Sequence, residues 1–310
     1  MRNPRRGVWV LAASIGLSAA ALGHEYWLEP IATIAPGGTT VWRAWVGEGM
    51  TAEKQVSLYP SKPKRALLRT PSGEREEPFA PEVSVKGADG SPIGSVNMEV
   101  AIRRSEPGTS LLALHGEPKF IELDSSKFDA YLQEDGLESI LTLRRSQGPP
   151  PGTVKERYSR CAKTVFAVGK PAGDAATRAT DLPLDVIPTV DPTTLQIGRA
   201  LTVEVRFRGQ PLPKTLLRAW MRTDLPTKEG EGAAASKLMT SVKTDGAGRA
   251  SIPITVAGNW LVATVHMIAA EEKGYDYESF WGSLTFHVPS KEAPGIESVG
   301  ASAPASRPLQ

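Results

Sequence analysis

Cysteine occurs once in 310 residues, at Cys161. A disulfide within the chain is therefore excluded, and so is any CxxC metal or redox site. Histidine occurs only four times, so few side chains can serve as nitrogen ligands. An excess of one charge is lacking as well: 36 Lys and Arg against 34 Asp and Glu leave a net +2. That balance excludes a nucleic-acid binder driven by phosphate neutralisation. No Gly-x-Ser-x-Gly elbow, P-loop, HExxH or Gly-x-Gly-x-x-Gly fingerprint occurs, and each of these would bring its own chemistry. A binding protein is expected, not an enzyme.

Long apolar runs are scarce too, with one exception. Arg2, Arg5 and Arg6 precede an apolar stretch over 8–22 that ends in Ala21-Leu22-Gly23. A basic start, a short apolar run and small residues at the end make a secretory signal peptide over 1–23, too short to span a bilayer. The mature chain is expected in the periplasm or secreted, and not membrane-embedded. Cys161 then reads as a small buried apolar residue, since an exposed odd thiol is a liability in an oxidising compartment.

Glycine (29) and proline (26) are plentiful, which favours short strands joined by turns. Alternating apolar residues predict strands over 110–114, 155–168, 201–207, 215–221, 260–267 and 280–288. Asp245-Gly246 followed by Gly248 marks a hairpin. The best helix runs over 124–137, with Asp124 as N-cap, Phe128, Tyr131 and Leu132 on one face, and Gly136 as its stop. Residues 144–154, with three consecutive prolines, read as a surface loop. The expected class is all-β, with two β-sandwich domains and one short helix in the first. The first domain is expected over 24–170, a linker over 171–181, the second domain over 182–288, and a disordered tail over 289–310.

The mature start His24-Glu25-Tyr26-Trp27-Leu28-Glu29-Pro30 resembles the opening of the NikM-like domain-of-unknown-function family of exported bacterial proteins. Further matches follow in order. They include Phe120-Ile121-Glu122-Leu123, Tyr158-Ser159-Arg160, Asp191-Pro192, Gly209-Gln210-Pro211-Leu212, Gly258-Asn259-Trp260-Leu261 leading to His266-Met267, and Glu278-Ser279-Phe280-Trp281. The resemblance implies Ig-like or transthyretin-like domains and a loose association with nickel or cobalt uptake. Any permease would be a separate chain, since no membrane segment follows the leader.

Cleavage after Gly23 makes His24 the terminal residue, whose α-amine and imidazole Nδ1 can close a chelate ring on a metal. Both nitrogen types shed protons cheaply near neutral pH and suit Cu, Ni, Co and Zn. The expected cofactor is a divalent transition metal, nickel or cobalt by resemblance and copper by ligand chemistry. His266 is the candidate second imidazole, and Asp276 or Glu278, from the acidic hairpin after it, the candidate oxygen ligand or orienting partner. His115 and His287 are expected at the surface or in structural roles. Arg157, Arg160 and Lys163 are expected on a solvated edge. Three functions follow. The first is a periplasmic metal carrier or uptake component. The second is a carbohydrate- or protein-binding β-sandwich module in which the histidines are incidental. The third is a copper monooxygenase with an N-terminal histidine chelate.

Overall fold

A computed structural model describes residues 24–36, 40–52, 54–55, 64–76, 98–100, 107–148, 152–225 and 236–290. The expected leader (1–23) and all but the first two residues of the expected tail lie outside them. In chain order the first strands are β1 (Glu25–Leu28), β2 (Thr33–Ile34), β3 (Thr40–Trp42), β4 (Ala44–Gly47), β5 (Lys54–Gln55), β6 (Arg65–Thr70), β7 (Gly73–Glu76) and β8 (Met98–Val100). Then come β9 (Gly108–His115), β10 (Lys119–Asp124), helices α1 (Ser125–Glu134) and α2 (Glu138–Gln147), and the long β11 (Thr153–Val168). The remainder is β12 (Leu184–Pro188), β13 (Ala200–Phe207), β14 (Gln210–Pro211), β15 (Leu216–Arg222), β16 (Lys237–Lys243), β17 (Arg249–Pro253), β18 (Gly258–Ala269) and β19 (Tyr277–Val288). The molecule is mostly β and sandwich-like, as expected. Among the described residues no helix is long and apolar enough to cross a membrane.

A ten-stranded sheet forms the centre, in the order β16-β15-β18-β19-β11-β9-β6-β7, with β10 and β2 also paired to β11. β11 serves the whole molecule. It pairs antiparallel with β10 and β9 and in parallel with β19, from Glu156 opposite Tyr277 to Thr164 opposite Thr285. This corrects the picture of separate domains over 24–170 and 182–288, because strands of both halves share one hydrogen-bonded sheet. The expected linker is also pinned down. The Arg69 guanidinium donates to the carbonyls of Arg178 (2.6 Å) and Ala179 (2.8 Å).

Side chains alternate across this sheet, so each face has its own cover. The front face presents Leu111, Cys161, Val165, Leu217, Val262, Leu284 and Phe286 to the smaller sheet of β12, β13, β14 and β17. That sheet contributes Leu184, Val186, Leu201, Val203, Val205 and Ile252. Within this core Lys163, expected on a solvated edge, is fully buried and ion-paired to Asp185. The back face is covered by β1 and β4, through Tyr26, Leu28 and Ala44, and by the helices. Trp27 and Trp45 close the seam against Trp220 and Leu261.

The single expected helix is two. α1 ends where Gly136 takes φ +70°, and α2 follows over Glu138–Gln147, its last four residues taken from the expected loop over 144–154. Its polar composition hides it. Ile140 and Leu141 face α1, and the third residue buried on α2 is Arg144, whose guanidinium lies over the Phe128 ring at 4.9 Å and pairs with Asp129 at 2.7 Å. Cation–π and ion-pair contacts do here what apolar residues do elsewhere.

Candidate functional site

At one end of the front face the small sheet stops short and leaves a cleft of about 510 Å³. Its floor is the sheet itself, with Ser159 on β11 opposite Phe280 on β19. Arg157, two residues before Ser159, projects from the same face because the strand period is two. One wall is the loop between β18 and β19, which carries Glu271, Glu272 and Tyr275. The other is the turn after β13, where Arg208 holds φ +47° ahead of Gly209 at φ +79° and leans over the Phe207 and Phe280 rings. Lys64, His115 and Asp181 also line it.

The charged groups of the cleft are linked in a chain. Glu278, only 6% exposed, sits between Arg157 (Nε to Oε1, 3.2 Å) and Arg208 (Nη2 to Oε2, 3.8 Å). Arg157 continues to Glu272 at 3.2 Å and accepts support from the Tyr275 hydroxyl, to which it donates at 3.1 Å. Arg208 continues to Glu271 at 3.1 Å. Ser159 stands apart from this chain. It is 4% exposed and its hydroxyl has no hydrogen-bond partner among the described residues. At the lip Phe120, paired with Arg157 across β10 and β11, is 65% exposed, its ring 6.0 Å from that of Tyr275.

The expected site residues are scattered relative to one another. His266 lies half-buried on the front face, its imidazole packed on Phe207 with centroids 4.5 Å apart. Burial, and then the charge of Arg208, push its pKa down to about 4. Glu278 is taken up by its two guanidiniums. Asp276 is exposed and brackets β11: its Oδ2 accepts from the Lys155 amide at 2.7 Å, and its own amide donates to the Lys155 carbonyl at 2.8 Å. His24 precedes β1, which packs on the back face, where Thr285 donates to the Leu28 carbonyl at 2.8 Å and Arg160 lies over Tyr26 at 5.2 Å. The sheet therefore separates the segment bearing His24 from His266. The expected two-histidine site, with Asp276 or Glu278 as its oxygen ligand, is not brought together. Among the described residues no group of three or more His, Cys, Asp or Glu side chains is arranged to hold a metal.

The cleft residues that sequence reasoning passed over are His115, Ser159, Arg157 and Arg208. His115 is neutral near physiological pH: burial, then Lys64 and Arg65, lower its pKa to about 4. A period-two reading of β11 already puts Arg157, Ser159, Cys161 and Lys163 on one face. Nothing local says that this face is open at Arg157 and sealed at Lys163. Arg160, grouped with them in sequence, points the other way.

The back face holds a second polar cluster, and it is closed. Glu25, Asp135 and Glu156 are all buried there. Glu25 accepts from the Gly49 amide at 2.6 Å; Glu156 accepts from the Ser279 hydroxyl and from Tyr131 at 3.2 Å; Asp135 pairs with Arg218 at 2.8 Å. Burial raises the pKa of Glu25 to about 8, of Asp135 to about 6 and of Glu156 to about 7.

No curated protein matches the chain. Among solved structures, trypsin-activated alpha-2-macroglobulin from Escherichia coli aligns with 87% of this chain at 11% identity and a TM-score of 0.21. The chain spans 16% of that protein's length, and a likeness of this degree carries no argument. A family model described as a domain of unknown function, DUF4198, matches residues 21–268, from just before β1 into β18. The chain belongs to the DUF4198 family.

Proposed function

We propose that the protein is an exported binding protein that takes a small polar ligand in the front-face cleft. The observation that carries this reading is Ser159. A buried hydroxyl without a partner costs about 1–3 kcal/mol, and this one lies just beneath the floor of a cleft of about 510 Å³, its oxygen closed to solvent. A ligand that parts the floor and exchanges hydrogen bonds with it recovers that cost. The guanidinium–carboxylate chain around it offers further donors and acceptors held in place by one another. Such a concave site with a few convergent polar groups is the usual form of a small-molecule site.

The test is thermal unfolding of the exported protein against a panel of sugars, amino acids, carboxylates, phosphate and divalent metals. At least one class should raise the midpoint for wild type and fail to do so for Ser159→Val and Arg157→Met. A panel in which every ligand acts equally on wild type and both variants removes the cleft from consideration.

A second reading keeps the metal, at His24 alone. What favours it is the rigidity of the adjacent chain: pairing of β1 with β4 begins at Glu25 opposite Gly47. An amine and imidazole at residue 24 would be presented from a fixed edge. Copper, nickel or cobalt would be its cargo and a separate permease its partner. Calorimetric titration with Cu(II), Ni(II) and Co(II) tests it, using protein that begins at His24. Loss of binding on adding one residue before His24, with His266→Ala unchanged, is the expected pattern.

A further inference from the structure

We infer that the ligand of the front-face cleft is a neutral carbohydrate of about one or two sugar units, stacked against Phe120 and hydrogen-bonded by Ser159 and the guanidinium–carboxylate chain. The inference rests on the cleft reading above and names its ligand class.

Charge argues first. Three cations (Lys64, Arg157, Arg208) and four carboxylates (Asp181, Glu271, Glu272, Glu278) line the cleft. The two guanidiniums are already engaged, Arg157 by Glu278 and Glu272, Arg208 by Glu271 and Glu278. Asp181 is taken by Arg65. An anion entering here finds both guanidiniums occupied and carboxylates beside them. A cation meets the converse. An uncharged ligand disturbs none of the pairs and can still use the remaining lone pairs and N–H groups at their edges.

Geometry argues next. A guanidinium beside a carboxylate presents donor and acceptor a few ångströms apart, which suits vicinal hydroxyls that must each give and receive a hydrogen bond. Ser159, just beneath the floor, does both with one atom once the floor parts to admit a hydroxyl. A neutral His115 adds a ring nitrogen of either role. Phe120 supplies the complement. It is the one aromatic side chain among the exposed large hydrophobic residues described, and it stands at the lip of a polar cavity, edge-on to Tyr275. An exposed aromatic face beside hydrogen-bonding groups matches a sugar ring, apolar on its C–H face and polar at its rim. The cavity of about 510 Å³ is of the size that holds a small organic ligand.

The experiment is calorimetric titration of the exported protein with maltose, cellobiose and lactose, and in parallel with glucuronate, citrate and phosphate. One or more neutral sugars should bind. Phe120→Ala should weaken that binding about tenfold or more, while Phe120→Trp keeps it. Because Phe120 is mostly exposed, its removal leaves the fold intact, and an unchanged unfolding midpoint verifies this. Ser159→Ala should weaken the same sugar. If the acids or phosphate bind instead, and binding is lost in Ser159→Ala, the carbohydrate inference falls and the cleft reading stands. Sugar binding indifferent to Phe120→Ala also overturns it. If nothing on either list binds, the carbohydrate inference falls.

Discussion

The two faces of the central sheet treat carboxylates in opposite ways. On the front, Glu278 lies between two guanidiniums whose outer ends are reached by solvent. On the back, among the described residues, Glu156 accepts from the hydroxyls of Tyr131 and Ser279 and Glu25 from the Gly49 amide, under a lid of helices and β1. One arrangement is charged, paired and open to solvent. The other disfavours charge: burial raises the pKa values of Glu25 and Glu156, while the Arg218 guanidinium engages Asp135. The back cluster latches α1 and β1 to the sheet, and the front cluster lines an open cleft.

The largest expected effect comes from the one front-face pair that is sealed. Lys163→Met should leave Asp185 charged and buried without its partner, at a cost of about 3–5 kcal/mol. Denaturant unfolding measures it, and the double variant Lys163→Met/Asp185→Leu should regain most of the loss. Equal losses in the single and double variants would mean that packing, not charge, dominates there.

A smaller effect separates the faces by pH. Glu25 and Glu156 have folded pKa values of about 8 and 7, above their unfolded values. The folded state then holds more protons than the unfolded one, so their contribution is complete at low pH and is lost as pH rises through those values. Arg218 is the cation facing this group, and it engages Asp135. His115 and His266, lowered to about 4, act in the opposite sense, but only below the ordinary imidazole range. From pH ~6.5 to ~8.5 stability should therefore fall, by about 2 kcal/mol. Glu156→Gln should flatten the curve, and a rise over that window would contradict the back-face account.

These particulars bear on what the sequence reveals. Strands with a clean alternation were legible: 201–207 is β13 within one residue, and Asp245-Gly246 does turn the chain, with Gly248 at φ +74°. It is not the expected hairpin, because β16 before it pairs with β15 and β17 after it pairs with β13 in the other sheet. The parallel pairing of β11 with β19 was not legible, because it joins segments about 120 residues apart and leaves no local mark. The candidate site fared worse. His266 and Glu278 are near the cleft, yet each is committed to a neighbour, Phe207 or the arginines, that only the packing of β13 onto the sheet supplies. Arg160 and Lys163 have the same chemical type and opposite fates because a strand reverses its faces at every residue.

The smallest expected effect lies at the cleft's rim. Arg208→Ala removes exposed ion pairs and should cost less than about 1 kcal/mol. It should also raise the His266 pKa modestly, since Arg208 ranks after burial among the causes of its depression. Proton NMR titration of the imidazole reads this directly. No movement would show that burial alone holds His266 neutral.

The position of β19 has a consequence for how the molecule is made. This strand, ending at Val288, lies between β18 and β11 and supplies hydrogen bonds to both. A growing or translocating chain thus carries β11 with one side unsatisfied until more than a hundred further residues have emerged. Long-range pairing of this kind slows folding and leaves an open edge meanwhile. β11 contains Lys155, Arg157, Arg160 and Lys163 among its first eleven residues. Those charges, costly to bury later, keep the waiting strand from pairing with another copy of itself.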